Sequence, residues 1–344
     1  MNRRFFLERA AGLTGAGSLW ASLSGASSES GSGSEDVVFS ETRSTSGSAA
    51  PRSEGPQEAP NVHTVTGPIA PEDLGMVLPH EHVMSRFGGP AVPDPAYPTA
   101  HLYEVVVPYL KFVRELGVDT LCDCTAAYFG RDPRVLRELS ERSGMRILTN
   151  TGYYGAAGDT YVPEHAYEDS VDRLAGRWVR EYEEGIGGSG IRPGFIKIGI
   201  DEGALSSIDR KLVEAAAETH LETGLTIAVH TSGNPEAVRQ QLRILEEAGV
   251  DPSAWIWVHA QNVDDTADLS EAVGAGGWIE FDGLAAETLD RHLELVGYMR
   301  DRDRLDRVLL SHDGNSHSGV NEPIRHCDVL MTTFLGMLRS EGYA

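Results

Sequence analysis

The sequence predicts a (β/α)₈ barrel, the TIM-barrel arrangement of the α/β class, on three observations. Runs of five to eight mostly apolar residues alternate with amphipathic, helix-period segments, and parallel strands need such crossovers. The alternation repeats eight times in about 270 residues, the size of one closed barrel. Polar residues interrupt the apolar runs mainly near their carboxyl ends, where a barrel gathers its reactive groups.

The strands are expected at 76–83, 118–125, 146–153, 194–201, 225–231, 254–260, 278–283 and 307–314. Helix-period segments lie between them at 102–116, 133–143, 170–184, 205–223, 235–248, 266–273 and 286–300, and 328–339 completes the eighth unit. Two parts precede the barrel. Residues 1–26 put twin arginines, Arg3 and Arg4, ahead of Phe6 and Leu7, then a weakly apolar stretch too short and glycine-rich to span a membrane. That is the pattern of a twin-arginine export signal, so a periplasmic or extracellular protein with no membrane span after processing is expected. Residues 27–60 are mostly Ser, Gly, Glu and Pro and are expected to be a disordered linker, leaving 61–344 as the folded unit.

The chain has 344 residues and is 40% hydrophobic, enough for a large core that needs no staple. Of its 52 acidic residues 45 follow position 60, against 24 of its 29 basic ones, within a net charge of -23. A surface that acidic argues against nucleic acid and anionic membranes as partners. Cys122, Cys124 and Cys327 fit neither a disulfide framework nor a cysteine-rich zinc site. Cys122 and Cys124 share one face of a strand, as small core residues do.

Lys197 stands inside the apolar run Gly-Phe-Ile-Lys-Ile-Gly-Ile-Asp at 194–201, and it is one of only three lysines, with Lys111 and Lys211. Burial strips an ammonium of its hydration and favours the neutral amine. A neutral amine can combine with carbon dioxide to give a carbamate, an anionic two-oxygen ligand able to bridge two metal ions. The alternative is that Lys197 reaches a strand end and pairs with Asp201.

Other chemistry-bearing residues recur at strand ends. His80 and His82 flank Glu81, so period-two alternation sends both imidazoles to one side and Glu81 to the other. His230 ends strand five, His259 ends strand six and Asp313 ends strand eight, with His312 beside it pointing away from the interior. A single histidine after an apolar strand is more often a hydrogen-bonded core residue than a ligand. Four of them, with an aspartate and a carbamate, make a donor set for two zinc-like ions that leaves room for water.

These residues, with Thr-Gly-Pro-Ile at 66–69, Pro-His-Glu-His at 79–82, Gly-Arg-Asp at 130–132, Phe-Ile-Lys at 195–197, Val-His-Thr at 229–231, Val-His-Ala at 258–260 and Ser-His-Asp at 311–313, resemble the phosphotriesterase family of the amidohydrolase superfamily over about 61–340. The resemblance implies a metal-dependent hydrolase barrel. In it His80, His82 and Asp313 hold one divalent ion, His230 and His259 the other, and a carboxylated Lys197 and a hydroxide bridge them. Zinc is the expected metal, with cobalt or manganese as alternatives, and Asp313 is the expected catalytic proton acceptor.

The substrate expected is a small lactone or carboxylic ester. Thr-Gly-Tyr-Tyr at 151–154 is similar to lactonase-type members, which makes Tyr153 a catalytic candidate and both Tyr153 and Tyr154 substrate-binding candidates. Asp282 in Phe-Asp-Gly is similar to their strand-seven start and is the third substrate-binding candidate, although the Arg-Tyr that usually follows is absent. Gly283 stands where phosphotriesterases proper have histidine, and Asn262 where they have an acid. A phosphotriesterase and a non-catalytic binding protein on the same barrel remain the alternatives. Among the other histidines His317 is expected to line the pocket, while His63, His101, His165, His220, His292 and His326 are expected on the surface or in loops; Arg131 and Asp132 suit an ion pair or a helix cap. The chain stops soon after the helix that follows strand eight. The expectation is a C-terminally truncated barrel, with stability or homodimer formation at stake.

Overall fold

The computed structural model describes residues 61–318 and 325–343, so the expected export signal and linker lie outside the described residues. The chain opens with an antiparallel hairpin the sequence did not announce, β1 (Val62–Thr64) and β2 (Gly67–Ile69). Ten parallel segments follow: β3 (Val77–His82), β4 (Thr120–Asp123), β5 (Arg146–Leu148), β6 (Asn150–Thr151), β7 (Phe195–Gly199), β8 (Ile227–His230), β9 (Trp255–Val258), β10 (Trp278–Phe281), β11 (Val308–Leu310) and β12 (Gly314–Asn315). The helices are α1 (Thr99–Glu115), α2 (Pro133–Ser143), α3 (Glu164–Glu168), α4 (Val171–Glu184), α5 (Ser207–Thr223), α6 (Pro235–Ala248), α7 (Ala267–Gly274), α8 (Leu289–Arg300) and α9 (Leu335–Ser340), the last continuing a π-helical turn at Leu330–Phe334. Among the described residues no helix is long and apolar enough to cross a membrane.

One parallel sheet runs β12–β3–β4–β5 and the other β6–β7–β8–β9–β10–β11. They join through continuous chain at two places. Only Thr149 separates β5 from β6; between β11 and β12, Ser311 donates its backbone N–H to the Phe281 carbonyl and Asp313 to that of His80, each at 3.1 Å. Eight strand positions therefore follow one another across the two sheets in (β/α)₈ order. The eighth expected strand is broken where the backbone leaves the extended region, at Asp313 with φ 52°. The third passes from one sheet to the other at Thr149 and ends before Gly152, whose φ is 118°. A Cβ at Gly152 would come 2.2 Å from the Lys197 carbonyl oxygen, so glycine is needed for that approach as well as for the dihedral.

Alternation along the strands sorts the core. On β7, Ile196 and Ile198 pack outward with the helices, in the cluster that holds Trp178, Leu212, Trp255 and Trp257. Phe195 belongs to a separate inner cluster with Leu148, Ala228 and Val258. Period two then puts Lys197 on the inside, one layer above Phe195. Helix starts are fixed locally: Asp132 accepts from the N–H groups of Arg134 and Val135 at the head of α2, and Ser206 with Asp209 forms a capping box for α5. Each such cap contributes about 1 kcal/mol. Arg131 forks onto Glu181 of α4 at 2.7 and 2.9 Å.

Candidate metal and active site

Four imidazoles form a row at the carboxyl ends of β3, β8 and β9. Ring centroids are 5.5 Å apart for His82 and His80, 5.0 Å for His80 and His259, and 4.4 Å for His259 and His230. Asp313 Oδ1 approaches His82 Nε2 to 3.2 Å and His80 Nε2 to 3.6 Å, while Oδ2 faces Arg325 at 3.5 Å. His259 and Asp313 both adopt left-handed backbone, φ 62° and 52°. For residues with a Cβ that costs of order 1–3 kcal/mol, strain the surrounding packing must offset, and it is the kind of strain that collects at functional sites.

Lys197 is 1% exposed and its Nζ has no hydrogen-bond partner. It is near enough to His80, His82 and His230 for its charge to oppose protonation of each imidazole. The pairing with Asp201 is not made; Asp201 accepts from the Gly158 N–H at 3.0 Å. An ammonium has three protons to donate and needs acceptors when buried. A group added at Nζ that faces cations would remove that mismatch.

The tautomers can be followed through the hydrogen bonds. Thr125 Oγ1 lies 2.8 Å from the Met84 carbonyl oxygen, to which it donates, and so accepts from His82 Nδ1 at 2.8 Å. His80 Nδ1 donates to Glu280 at 2.6 Å and His259 Nδ1 to Asp282 at 2.5 Å. With its Nδ1 proton given to Thr125 and burial disfavouring a second proton, His82 turns an Nε2 lone pair toward the Asp313 carboxylate, and His80 Nε2 faces the same oxygen. Burial opposes a second proton on His80, but the anionic groups around it, Glu280 and Asp282 among them, raise its proton affinity well above the usual imidazole range. Two ring nitrogens and a carboxylate oxygen converging on one point need a cation between them, so His80, His82 and Asp313 fit a metal ion. Burial lowers the proton affinity of His82, and of His230 strongly, with the charge of His259 adding to the effect at His230. Neutral imidazoles are the form that binds metal.

The mouth has two unlike walls. A cavity of about 390 Å³ is lined by His230, His259 and Asp313 together with the polar residues Ser232, Asn262 and Arg291. Beside His82 and His230, Phe87, Phe129, Tyr154 and Tyr161 pack ring against ring at 5.1–6.3 Å, with Phe129 5.7 Å from His82 and Tyr154 5.1 Å from His230.

The structure separates several candidates from this site. Tyr153 is not brought to the imidazoles: its hydroxyl bonds His165 Nε2 at 2.9 Å and its ring packs on Trp178 of α4. Neighbouring residues on an extended chain point opposite ways, so Tyr154 turns inward, its hydroxyl 3.1 Å from His230 Nδ1. Asp282 borders the cavity, but its carboxylate is already used, accepting from His259 Nδ1 and N–H and from Gln261 Nε2. It braces an imidazole and is not free for substrate. Burial opposes its ionisation, yet the contacts with His259 and His80 hold the carboxyl well below its usual range. His317, expected in the pocket, instead packs with Tyr97 and His101. His292, expected on the surface or in a loop, is buried in α8 and bridges the Thr288 and Asp282 carbonyls at 2.9 and 2.8 Å. His312 lies outside the ring between Glu81 at 2.8 Å and the Leu330 N–H. Sequence reasoning missed Glu280 and Thr125. A glutamate at the centre of the run Trp-Ile-Glu-Phe, where a strand side chain faces inward, is the signal that could have found the first.

The phosphotriesterase family model matches residues 60–344. The phosphotriesterase homology protein of Escherichia coli is 29% identical over 279 residues, covering 79% of this chain and 93% of that protein. The aryldialkylphosphatase of Saccharolobus solfataricus is 28% identical over 256 residues, 71% of this chain and 78% of its own. Among solved structures, a mutant of a phosphotriesterase-like lactonase from Deinococcus radiodurans superposes with a TM-score of 0.74 at 29% identity, covering 82% of this chain and 94% of that one.

Proposed function

The chain belongs to the phosphotriesterase family, and from that premise we propose a hydrolase with two divalent ions that cleaves lactones or carboxylic esters. The observation that carries the proposal is the convergence of His80 Nε2 and His82 Nε2 on the Asp313 carboxylate, beside a buried Lys197 Nζ with no hydrogen-bond partner. His80, His82 and Asp313 would hold one ion and His230 and His259 the other, with Lys197 carboxylated at Nζ to serve both. Zinc suits this nitrogen and oxygen donor set, and cobalt or manganese is the alternative. When bound, such ions supply hydroxide near neutral pH and polarise the oxygen of the bond under attack.

The chain's own groups do the rest. Asp313, with 23% of its side chain exposed, accepts the proton of the attacking water and passes it outward on the Arg325 side. Thr125 and Asp282 keep His82 and His259 in the tautomer that leaves Nε2 free. Tyr154, and not Tyr153, is the tyrosine that meets substrate, and the aromatic wall takes its apolar part.

A carboxylic substrate is favoured over a phosphotriester by Gly283, which offers no side chain to relay a proton after Asp282. The aryldialkylphosphatase relative keeps phosphotriesters as the second reading. Metal analysis of purified protein, with a panel of lactones, aryl esters and phosphotriesters, tests both. About two metal equivalents and the highest kcat/KM on a lactone or carboxylic ester are expected. Full activity without metal would overturn the mechanism, and a phosphotriester optimum the substrate. Export belongs to the same proposal: Arg3→Lys with Arg4→Lys should retain the protein in the cytoplasm. Homodimer formation is checked by sedimentation.

A further inference from the structure

Glu280 sits on β10 two residues before Asp282, so both reach the inside of the barrel from one face of the chain, Glu280 one layer deeper. It is 1% exposed. Its Oε1 lies 2.6 Å from His80 Nδ1, whereas Asp282 Oδ2 is 3.4 Å from the same nitrogen and gives its short contact, 2.5 Å, to His259. Each of the two central imidazoles therefore has a carboxylate of its own. With Asp313, three carboxylates lie within 3.6 Å of the ring nitrogens of His80. Burying an anion is expensive unless a cation or strong hydrogen bonds compensate it. His80 Nδ1 has one proton to offer the two of them, and Lys197 Nζ donates to neither carboxylate.

We infer that Glu280 is a positioning residue for the metal centre: it fixes the His80 tautomer, raises the donor strength of Nε2, and adds the negative charge that makes this end of the row prefer a dication. A carboxylate behind a ligating histidine strengthens metal binding, and its loss typically costs 10–100-fold in affinity or activity. The inference rests on the binuclear proposal and goes beyond it by assigning a distinct carboxylate to each half of the site.

The test is competition titration of zinc against a chromophoric chelator for the wild type, Glu280→Gln and Glu280→Ala, with kcat and KM for the best ester and the melting temperature of the metal-free proteins. Gln keeps an acceptor oxygen for His80 Nδ1 without the charge; Ala removes both. One of two zinc-binding steps should weaken 10–100-fold in Glu280→Gln and further in Glu280→Ala, with the other step within 3-fold of wild type. kcat should fall with KM nearly unchanged. Asp282→Asn should weaken the step that Glu280→Gln spares. Unchanged zinc affinity in Glu280→Gln, or equal weakening of both steps together with a lower metal-free melting temperature, would overturn the inference. A wild type that binds fewer than two zinc ions would instead overturn the binuclear proposal.

Discussion

Asp282 Oδ1 stands 2.5 Å from His259 Nδ1, and the same oxygen accepts from Gln261 Nε2 at 2.8 Å. Oδ2 takes the His259 backbone N–H at 3.2 Å. The carboxylate thus clamps His259 at two points, which holds the ring against its left-handed backbone. Asp282→Asn keeps the size but removes the charge, and an amide that turns its NH₂ toward Nδ1 would force the proton onto Nε2. A fall in kcat/KM of about 10–100-fold is expected. The check is steady-state kinetics on protein whose metal content is measured beforehand; activity within 2-fold of wild type would mean that His259 needs no brace.

The two adjacent tyrosines give a paired prediction. Tyr153→Phe removes the bond to His165, away from the imidazoles, and should cost about 1 kcal/mol of stability with kcat/KM changed by less than about 3-fold. Tyr154→Phe removes the hydroxyl 3.1 Å from His230 and should lower kcat/KM at least about 10-fold with little change in stability. Urea unfolding and ester kinetics on both variants decide it, and the reverse pattern would return Tyr153 to the site.

Lys197→Ala should lower metal content and abolish turnover, because no carboxylate would remain to serve both ions. Adding a short carboxylic acid, acetate or propionate, should restore part of both, since the vacated space can admit a free carboxylate. Metal content by atomic spectroscopy and initial rates across an acid series are the measurements. Recovery with an alkylamine and not with an acid would identify an uncarboxylated lysine as the active form.

Much of this arrangement could be read from the chain because strand alternation converts sequence into direction. Residues spaced by two, such as His80 and His82 or Phe195 and Lys197, share a face wherever the strand is regular. The failures come where that rule gives out. Strand eight ends in a left-handed turn at Asp313, and chain order says nothing about the ring packing that takes His317 away from the cavity. Tyr153 and Tyr154 follow Gly152, whose φ of 118° resets the alternation, so nothing in the sequence told which tyrosine faces in. The bracing groups were harder still. Glu280, Thr125 and Asp282 act through partners 23 to 200 residues away, and only folding brings those partners together.

Asp123 supplies the pH-dependent prediction. Its side chain is fully buried on β4; Oδ1 accepts from the Val83 N–H at 2.8 Å, and Oδ2 has no hydrogen-bond partner. Burial, only partly offset by the hydrogen bonds from Val83 and Thr125, pushes its carboxyl up from 3.8 to about 7. The folded state therefore holds a proton that the unfolded chain gives up near pH 4. The stability this contributes is fully present below pH 3.8, declines as pH rises and is gone above about pH 7. Asn imitates the protonated acid at every pH. The stability of Asp123→Asn relative to wild type should accordingly increase between pH 4 and pH 7, by at most about 1.4 kcal/mol per pH unit, and level off above that. Urea unfolding of chelator-treated protein at half-unit intervals measures it, since bound dications would themselves favour the carboxylate. A stability difference that stays flat from pH 4 to 8 would mean that Asp123 is ionised in the folded barrel.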